Sequence, residues 1–456
     1  MRGTHDAAGR NGMRVRREMG LFTATSIVVA NMVGAGIFTA SGIISGFLPG
    51  PAWVLACWAL GGLIAMAGAL CYAELATRMP DEGGEYLYLS RLYHPSLGFL
   101  TGWTSFFVGF TAAIAASAMG FSEYIFAGLY GRFELIDPAI LTVMKKGSAA
   151  AVIILFTALH YFGLKKGGKV QNVLTVVKVV IVAGLAVTGI LLGGGAKWSP
   201  GSGMSGGGWL GVGTAMMLVM FSYSGWNATS YVAGEVRNPR RTLPLSLVAG
   251  TGIVIVLYIL VNIFIFRALP FSEVQGTIAI VEKASVSTFG EWMGRGLSIM
   301  VGLALLSSLS AYIIIGPRVY FAMAKDRLFF PFAAKVHPRY GVPGRSIVIQ
   351  GALAAVMVII GSFEQLLIYL GFALGIFPWL AVAGLFLARR RSTGESGAVR
   401  VPGYPFLPVF FLVTTLGLMV IAFINRPLES SAALVTIAAG IPVYYLWIRT
   451  VDRTTS

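Results

Sequence analysis

The chain has 456 residues, of which 56% are hydrophobic and only 11% are charged. With a mean hydropathy of +0.79, this composition excludes a soluble globular protein and indicates a polytopic membrane protein. The net charge of +16 could indicate nucleic-acid binding. However, the basic residues lie in short connections between apolar runs, so we expect the lipid bilayer as a partner and no nucleic acid.

Apolar runs of about 18 residues or more, bounded by charged residues, Gly or Pro, predict twelve transmembrane helices. The first run follows a basic tail but is too long for a signal peptide and lacks a convincing cleavage site, so we interpret it as an uncleaved anchor. In chain order the runs lie near Leu21–Gly46, Pro51–Arg78, Leu92–Ala127, Lys146–Gly163, Val170–Gly193, Trp209–Glu235, Leu243–Phe266, Trp292–Ala324, Ser346–Ser362, Glu364–Ala388, Pro405–Ile424 and Leu428–Ile448.

The distribution of Lys and Arg predicts the orientation in the membrane. If the N-terminus is cytoplasmic, the tail and the even-numbered connections carry 25 of these residues, the other connections carry 8, and Lys178 lies inside a span. Cytoplasmic connections are typically enriched in Lys and Arg. We therefore expect a multi-pass protein of the plasma (inner) membrane with both termini in the cytoplasm and with residues 1–20 as a cytoplasmic tail.

Two of the apolar runs are interrupted midway by small or polar residues. Hydrocarbon cannot satisfy free backbone N–H and C=O groups, so an unwound turn survives at that depth only beside a protein cavity or a polar ligand. Breaks at corresponding positions in two halves of a chain indicate a transport site. The first break comprises Asn31, Met32, Val33, Gly34, Ala35, Gly36 and Ile37, and the second comprises Phe221, Ser222, Ser224, Gly225 and Asn227.

The two breaks offer partial charges of opposite sign. Where the helix restarts after Gly34, free N–H groups and the positive end of the macrodipole suit a carboxylate. Carbonyl groups near Met32 and Val33, opposed by those of the second break, suit an ammonium group. Together these sites describe the zwitterion of an α-amino acid. The alternative is that Gly34 and Gly36 only allow close packing of helices.

The residues of the breaks also predict the kind of side chain that is bound. Ala35, Ser222, Ser224 and Asn227 are small or neutral, and neither break contains a carboxylate that could pair with a cationic side chain. A neutral amino acid therefore fits best.

Several blocks resemble the amino acid, polyamine and organocation transporter superfamily, and in particular its L-type amino acid transporter branch. Each block is similar to a family motif, and the blocks occur in the family's order. They are residues 34–38 for the first helix, 72–86 for the junction of the second and third helices, 221–227 with 234–244 for the sixth helix, and 316–326 for the end of the eighth.

The resemblance implies an all-α fold of the leucine-transporter type. Residues 21–193 would form a first repeat of five helices, residues 209–388 an inverted second repeat, and residues 405–450 two further helices. Phe221 corresponds to the aromatic residue that closes over the ligand in this family. Ala35 stands where several relatives carry Ser, so one hydroxyl contact near the carboxylate is absent.

Lys178 lies in the middle of the fifth run. A lone ammonium at that depth costs several kcal/mol unless it is paired, neutralised or able to reach water. The resemblance implies that such a lysine occupies the sodium position of sodium-coupled relatives and joins the first break to hydroxyls of the eighth helix, for which Ser307, Ser308 and Ser310 are candidates. Lys178 could also exchange a proton during transport, or could act only as a fixed cation between helices.

Other polar residues near the spans have more ordinary interpretations. Glu74 and Glu235 lie near the predicted cytoplasmic ends, with Arg78 and Arg237 nearby, which favours gate or structural salt bridges. No role is assigned to the remaining carboxylate close to a span, Glu123.

His160 lies alone on the fourth predicted helix. We expect an interhelical hydrogen bond or simple packing, with a role in proton movement as the alternative. Cys57 and Cys71 lie on one helix about 21 Å apart, which is too far for a disulfide. We interpret both as small packing residues.

The sequence therefore predicts a secondary transporter of neutral L-amino acids that works by alternating access, without sodium, and favours exchange. One alternative is a proton-coupled symporter that uses Lys178, and another is an amino-acid-binding receptor or subunit that does not transport. A channel would need a continuous polar pore. The sequence shows no clustered nucleophile, acid–base pair or metal motif, so we expect no enzyme activity, cofactor or metal. The pattern of Gly201, Gly203 and Gly206 is interpreted as a flexible outside loop.

Overall fold

The structure is a computed structural model that describes residues 16–129, 136–192, 208–277, 280–360, 363–391, 397–425 and 427–455. Throughout these ranges the secondary structure is helical, apart from turns and one isolated bridge between Met19 and Val236. The predicted all-helical architecture is thus confirmed for the described ranges. The glycine pattern at residues 201–206 lies outside them.

Seventeen α-helices are defined within the described ranges. A π-helical turn, Ser105–Gly109, joins the fifth to the sixth, and short 3-10 helices cover Ala228–Glu235 and Pro331–Ala334. In chain order the α-helices are α1 (Leu21–Met32), α2 (Ala35–Ser45), α3 (Pro51–Arg78), α4 (Glu85–Leu92), α5 (Pro95–Thr104), α6 (Phe110–Gly128), α7 (Pro138–Tyr161), α8 (Leu164–Leu192), α9 (Gly208–Tyr223), α10 (Pro239–Ala268), α11 (Phe271–Val274), α12 (Ile280–Phe289), α13 (Glu291–Lys325), α14 (Gly344–Ile360), α15 (Phe363–Arg390), α16 (Phe406–Asn425) and α17 (Pro427–Thr455).

Eight helical segments of the described chain are long and apolar enough to cross a membrane, when α1 with α2 and α5 with α6 are each counted as one. The fourth predicted span needs correction, because its helix begins at Pro138 rather than near Lys146. The Asp137 carboxylate accepts a hydrogen bond from the Ala139 N–H at 2.7 Å, and proline suits the first helical position. The total of twelve spans and the inverted repeat stay predictions.

The helix that precedes the first break lies in the centre of the bundle. α1 packs against α8, α10 and α13, and its residues from Ser26 to Met32 are all buried. α2, which follows the break, packs against α9, the helix that ends at the second break. Helix packing therefore brings together the two breaks, which are almost 190 residues apart in the sequence. Peripheral side chains such as Leu63, Leu155 and Val180 are exposed, as contact with lipid requires.

Ion pairs with a buried carboxylate connect helices near the ends of α3 and α13. Glu74 accepts from Arg78, as predicted, and also from Arg389 of α15, at 2.8 and 2.5 Å. Glu235 pairs with Arg318 rather than with Arg237, which corrects the prediction. Arg318 lies inside α13, although the charge count assigned it to a connection. Its buried guanidinium needs a buried partner, whereas Arg237 is exposed to solvent.

Candidate functional site

The first break consists of two residues between α1 and α2. Val33 has φ −74° and ψ 86°, and Gly34 has φ −120° and ψ −155°, so neither continues the helix. The Gly34 N–H turns back to the Met32 carbonyl at 2.9 Å. This turn leaves the carbonyl groups of residues 30 to 33 without their usual partners four residues later.

Side chains of the protein donate to each of the four carbonyl groups that the first break leaves free. Lys178 and Ser308 contact the oxygens of Ala30 and Val33. The hydroxyl of Tyr312 reaches the Asn31 oxygen at 3.1 Å, and the hydroxyl of Tyr258 reaches the Met32 oxygen at 2.7 Å. The Met32 and Val33 carbonyls, which the sequence assigned to an ammonium group of the substrate, thus already accept hydrogen bonds from protein side chains.

The Lys178 side chain is fully buried and crosses from α8 to the first break. Its Nζ donates to the carbonyl oxygen of Val33 at 2.5 Å, to Ser308 Oγ at 2.8 Å and to the carbonyl oxygen of Ala30 at 3.3 Å. Three oxygen atoms therefore surround one ammonium, and all three belong to neutral groups. The carbonyl dipoles offset part of the cost of burying the charge.

Only one of the three candidate serines of α13 contacts Lys178. Ser308 donates to the first break, as described, whereas Ser307 lies 3.2 Å from the hydroxyl of Thr175. Ser310 instead forms a 2.8 Å hydrogen bond with His160 of α7. Because residues 307, 308 and 310 leave the same helix in different directions, each serine meets a different neighbour. The interhelical hydrogen bond predicted for His160 is confirmed.

The second break lies between α9 and the 3-10 helix. Residues 224–227 form turns, and Gly225 has φ +97°, a conformation that favours glycine. A Cβ atom on Gly225 would lie 3.0 Å from the side chain of Asn31, so the two breaks touch at this point. They touch again at Gly36, where a Cβ atom would lie 2.5 Å from Ser222 Oγ and 2.9 Å from Ser222 Cα.

Tyr258 of α10 links the two breaks directly. Its hydroxyl lies 2.7 Å from the carbonyl oxygen of Met32 and 2.9 Å from that of Ser222. The side chain is completely buried and packs edge-on against Trp58. The sequence analysis missed this residue, because a tyrosine within an apolar run gives no local signal of its partners.

The restart of the helix at Ala35 differs from the end of α1 in that its N-cap residue, Gly34, makes no capping hydrogen bond through a side chain. Gly34 has no side chain with which to accept from the first N–H groups of α2. These N–H groups and the helix dipole favour an anion at this end. The structure therefore stabilises the carbonyl side of the break with side-chain donors, whereas Gly34 supplies no side-chain acceptor on the amide side. The side chain of Ala35 lies outside the described part of the chain.

Other predicted site residues are distributed around this centre. Phe221 is half-buried on α9 and packs against an apolar cluster that includes Ile114 and Leu309. Asn227 is buried and donates to the carboxylate of Glu85, a residue of α4 that the sequence analysis missed. Glu85 directly follows two glycines, residues 83–84, and both have positive φ in the structure. This pair of glycines was the signal in the sequence that the chain turns there.

The remaining polar groups that the sequence singled out lie away from the breaks. Glu123 pairs with Lys145 near the surface, and Cys57 and Cys71 are buried free thiols. In the part of the chain that the structure describes, no three His, Cys, Asp or Glu side chains are grouped so as to hold a metal ion.

Comparison with known proteins gives consistent matches along nearly the whole chain. The amino acid permease family model matches residues 19–448. The serine/threonine exchanger SteT of Bacillus subtilis (strain 168) is 29% identical over 443 residues, which cover 95% of this chain and 97% of that protein. The b(0,+)-type amino acid transporter 1 of Homo sapiens is 28% identical over 447 residues, or 95% and 88% of the two chains. The human cystine/glutamate transporter is 25% identical over 449 residues, or 98% and 88%.

Proposed function

Because this chain belongs to the amino acid permease family, we propose that it is a sodium-independent exchanger of neutral L-amino acids that works by alternating access. The family, and relatives that are amino acid exchangers and transporters, indicate that the protein is a membrane transporter of amino acids and not an enzyme. The finer proposal rests on the geometry of the two breaks. We further propose the plasma membrane as its location, with both termini in the cytoplasm.

One observation carries the proposed mode of binding. In the first break, every freed carbonyl has a side-chain donor, while the N-cap residue of α2, Gly34, supplies no side-chain acceptor. A substrate carboxylate would supply the missing acceptors, as anions do at other helix N-termini. We place the substrate ammonium at the second break, where residues 224–227 form turns instead of continuing the helix. Phe221 would close over the bound amino acid.

Independence from sodium is supported by the surroundings of Lys178. Sodium would need several oxygen ligands, and the oxygens of Ala30, Val33 and Ser308 converge here on the lysine ammonium. A second cation at this position would be repelled by the first at a separation of a few ångströms. In this proposal Lys178 holds α1, α8 and α13 in register and thereby fixes the shape of the first break.

Exchange requires that the bundle change between inward-open and outward-open shapes only when an amino acid fills the site. The inverted repeat of residues 21–193 and 209–388 would supply two halves that move against each other. The two breaks contact each other at Gly36, which lies against Ser222, and at Gly225, which lies against Asn31, so a ligand that contacts both breaks would bias both halves at once. The similarity to a relative that is a serine/threonine exchanger supports this mode.

A second candidate is proton-coupled symport through Lys178. The ammonium has three neutral oxygen partners and forms no ion pair among the described residues. A buried amine with only neutral partners can exist in the uncharged form at a low cost in hydrogen bonds, since Ser308 can donate to it. Reversible loss of its proton would then loosen the first break and couple proton movement to transport.

Uptake of labelled L-amino acids into sodium-free proteoliposomes tests the proposal. We expect saturable, stereoselective uptake that requires an unlabelled amino acid inside the vesicle. Uptake that is driven by a pH gradient alone, with nothing inside, supports symport instead. Binding without any uptake would support a receptor, and a requirement for sodium would contradict the role proposed for Lys178.

A further inference from the structure

Glu85 is a buried carboxylate directly behind the second break, and the transport mechanism above assigns it no task. Its side chain is 2% exposed. Oε1 accepts hydrogen bonds from the hydroxyl of Tyr72 at 2.7 Å and from Asn227 Nδ2 at 2.5 Å, and Oε2 accepts from the hydroxyl of Tyr231. All three donors are neutral, and no cation pairs with Glu85 among the described residues.

The geometry decides which end of the Asn227 amide faces the carboxyl group. Because Oε1 already accepts from the Tyr72 hydroxyl at 2.7 Å, it is an acceptor whether the carboxyl group is ionised or carries its proton on Oε2. An amide oxygen facing Oε1 would leave two acceptors in contact, so the amide must present Nδ2. Both hydrogen bonds described for the Asn227 side chain accordingly use Nδ2, the second one reaching the Tyr231 hydroxyl at 3.4 Å.

The same constraint leaves the other end of the amide for a different partner. In a planar amide, Oδ1 points away from the group that Nδ2 contacts, so here it is turned away from Glu85. Asn227 itself belongs to the second break, two residues after Gly225, which lies against Asn31 of the first break. A fixed acceptor oxygen within the break suits a ligand that carries a hydrogen-bond donor.

We propose that Glu85 is a positioning residue that orients the Asn227 amide so that Oδ1 accepts a hydrogen bond from the bound amino acid. The inference rests on the proposed function, since it needs an amino acid between the breaks. The donor is either the α-ammonium, which all substrates share, or a hydroxyl on a small side chain. Glu85 does not touch the ligand in this arrangement and acts only through Asn227.

Two substitutions of Glu85 separate this role from a simple need for negative charge. Glu85→Gln keeps an oxygen for Asn227 and can place its amide nitrogen against the Tyr231 hydroxyl, so we expect a Kd within about twofold of wild type. Glu85→Met fills the same space without an acceptor, so Asn227 can rotate, and we expect a Kd about tenfold higher. Equal damage in both variants would contradict the proposal, because it would mean that the charge itself is required.

Equilibrium binding to the full-length protein in nanodiscs is the measurement. The probes are L-serine, L-alanine and the neutral amino acid with the highest uptake in the proteoliposome panel. If the substrate hydroxyl is the donor, Glu85→Met lowers the affinity for serine more than the affinity for alanine. If the ammonium is the donor, both affinities fall equally. Either pattern supports the proposal, and unchanged affinity for every probe overturns it.

A double substitution tests that Glu85 acts through Asn227. In an Asn227→Ala background, Glu85→Met should have no further effect on Kd, so a full tenfold loss there would contradict the positioning role. Where Glu85→Met fails to fold, Asn227→Ala alone tests the same contact, because it removes Oδ1 from the second break. Its Kd should rise about tenfold. An unchanged Kd in that variant opposes the proposal.

Binding measurements on the wild-type protein also distinguish a failure of the positioning role of Glu85 from a failure of the proposed transport function. A wild-type protein that binds the probes but shows no uptake contradicts transport alone, and the variants of Glu85 still decide the positioning role. A wild-type protein that binds no amino acid contradicts both.

Discussion

At the scale of single residues, Lys178 is the group with the clearest expected effect. Lys178→Met keeps the side-chain volume but removes the ammonium that contacts Ala30, Val33 and Ser308. We expect exchange to fall at least tenfold, because two freed carbonyls of the first break lose a charged donor. Proteoliposome exchange measures this. Lys145→Met, which removes only a partly exposed pair with Glu123, serves as the control and should retain transport. Wild-type rates in Lys178→Met would remove the residue from the mechanism.

A second prediction at this scale concerns the close approach of the two breaks. In Gly36→Ala the new methyl group would lie 2.5 Å from Ser222 Oγ and 2.9 Å from Ser222 Cα, which is closer than non-bonded atoms allow. The breaks must separate, so we expect substrate affinity to fall at least tenfold. Gly184→Ala is the control, because a Cβ atom there meets nothing within 4 Å. Equal affinities in the two variants would show that the contact at Gly36 has no role in binding.

At the scale of elements, α10 joins the breaks through one hydroxyl group. Tyr258→Phe keeps the ring against Trp58 and removes only the bonds to the Met32 and Ser222 oxygens. The two buried oxygens lose the one hydroxyl hydrogen that they share, which costs about 1–3 kcal/mol, so we expect lower exchange rates and a lower melting temperature.

Tyr223→Phe is the matched control for the change at Tyr258. It removes a buried hydroxyl that donates to the Trp58 carbonyl and not to either break. We expect a similar loss of thermal stability but a smaller loss of exchange. If both variants lose exchange to the same extent, the hydroxyl of Tyr258 has no special role in coupling the breaks.

At the scale of the whole molecule, the charge distribution predicts which connections face the cytoplasm. We expect Arg400, between the tenth and eleventh predicted spans, to be cytoplasmic and Glu291, before the eighth, to be outside. Both residues are exposed, and the native Cys57 and Cys71 are buried. In intact cells a membrane-impermeant maleimide should therefore label Glu291→Cys, and should label Arg400→Cys only after permeabilisation. The reverse pattern would invert the proposed topology.

The sequence determined those features that depend on neighbouring residues. Apolar length predicts membrane helices, and glycines within such a run predict a break, because both effects act within a few turns of one helix. The two breaks and the position of Lys178 could accordingly be predicted, as could the ion pair of Glu74 with Arg78, one helical turn away.

Only the tertiary structure decided how these features meet. It selected Ser308 from three serines, paired Glu235 with Arg318, joined the breaks through Tyr258, and brought Glu85 behind Asn227. Each of these contacts joins residues more than 35 positions apart. They depend on how far each helix is rotated about its axis and on which helices are neighbours. Both are set by the packing of the entire bundle, and no short segment of sequence encodes them.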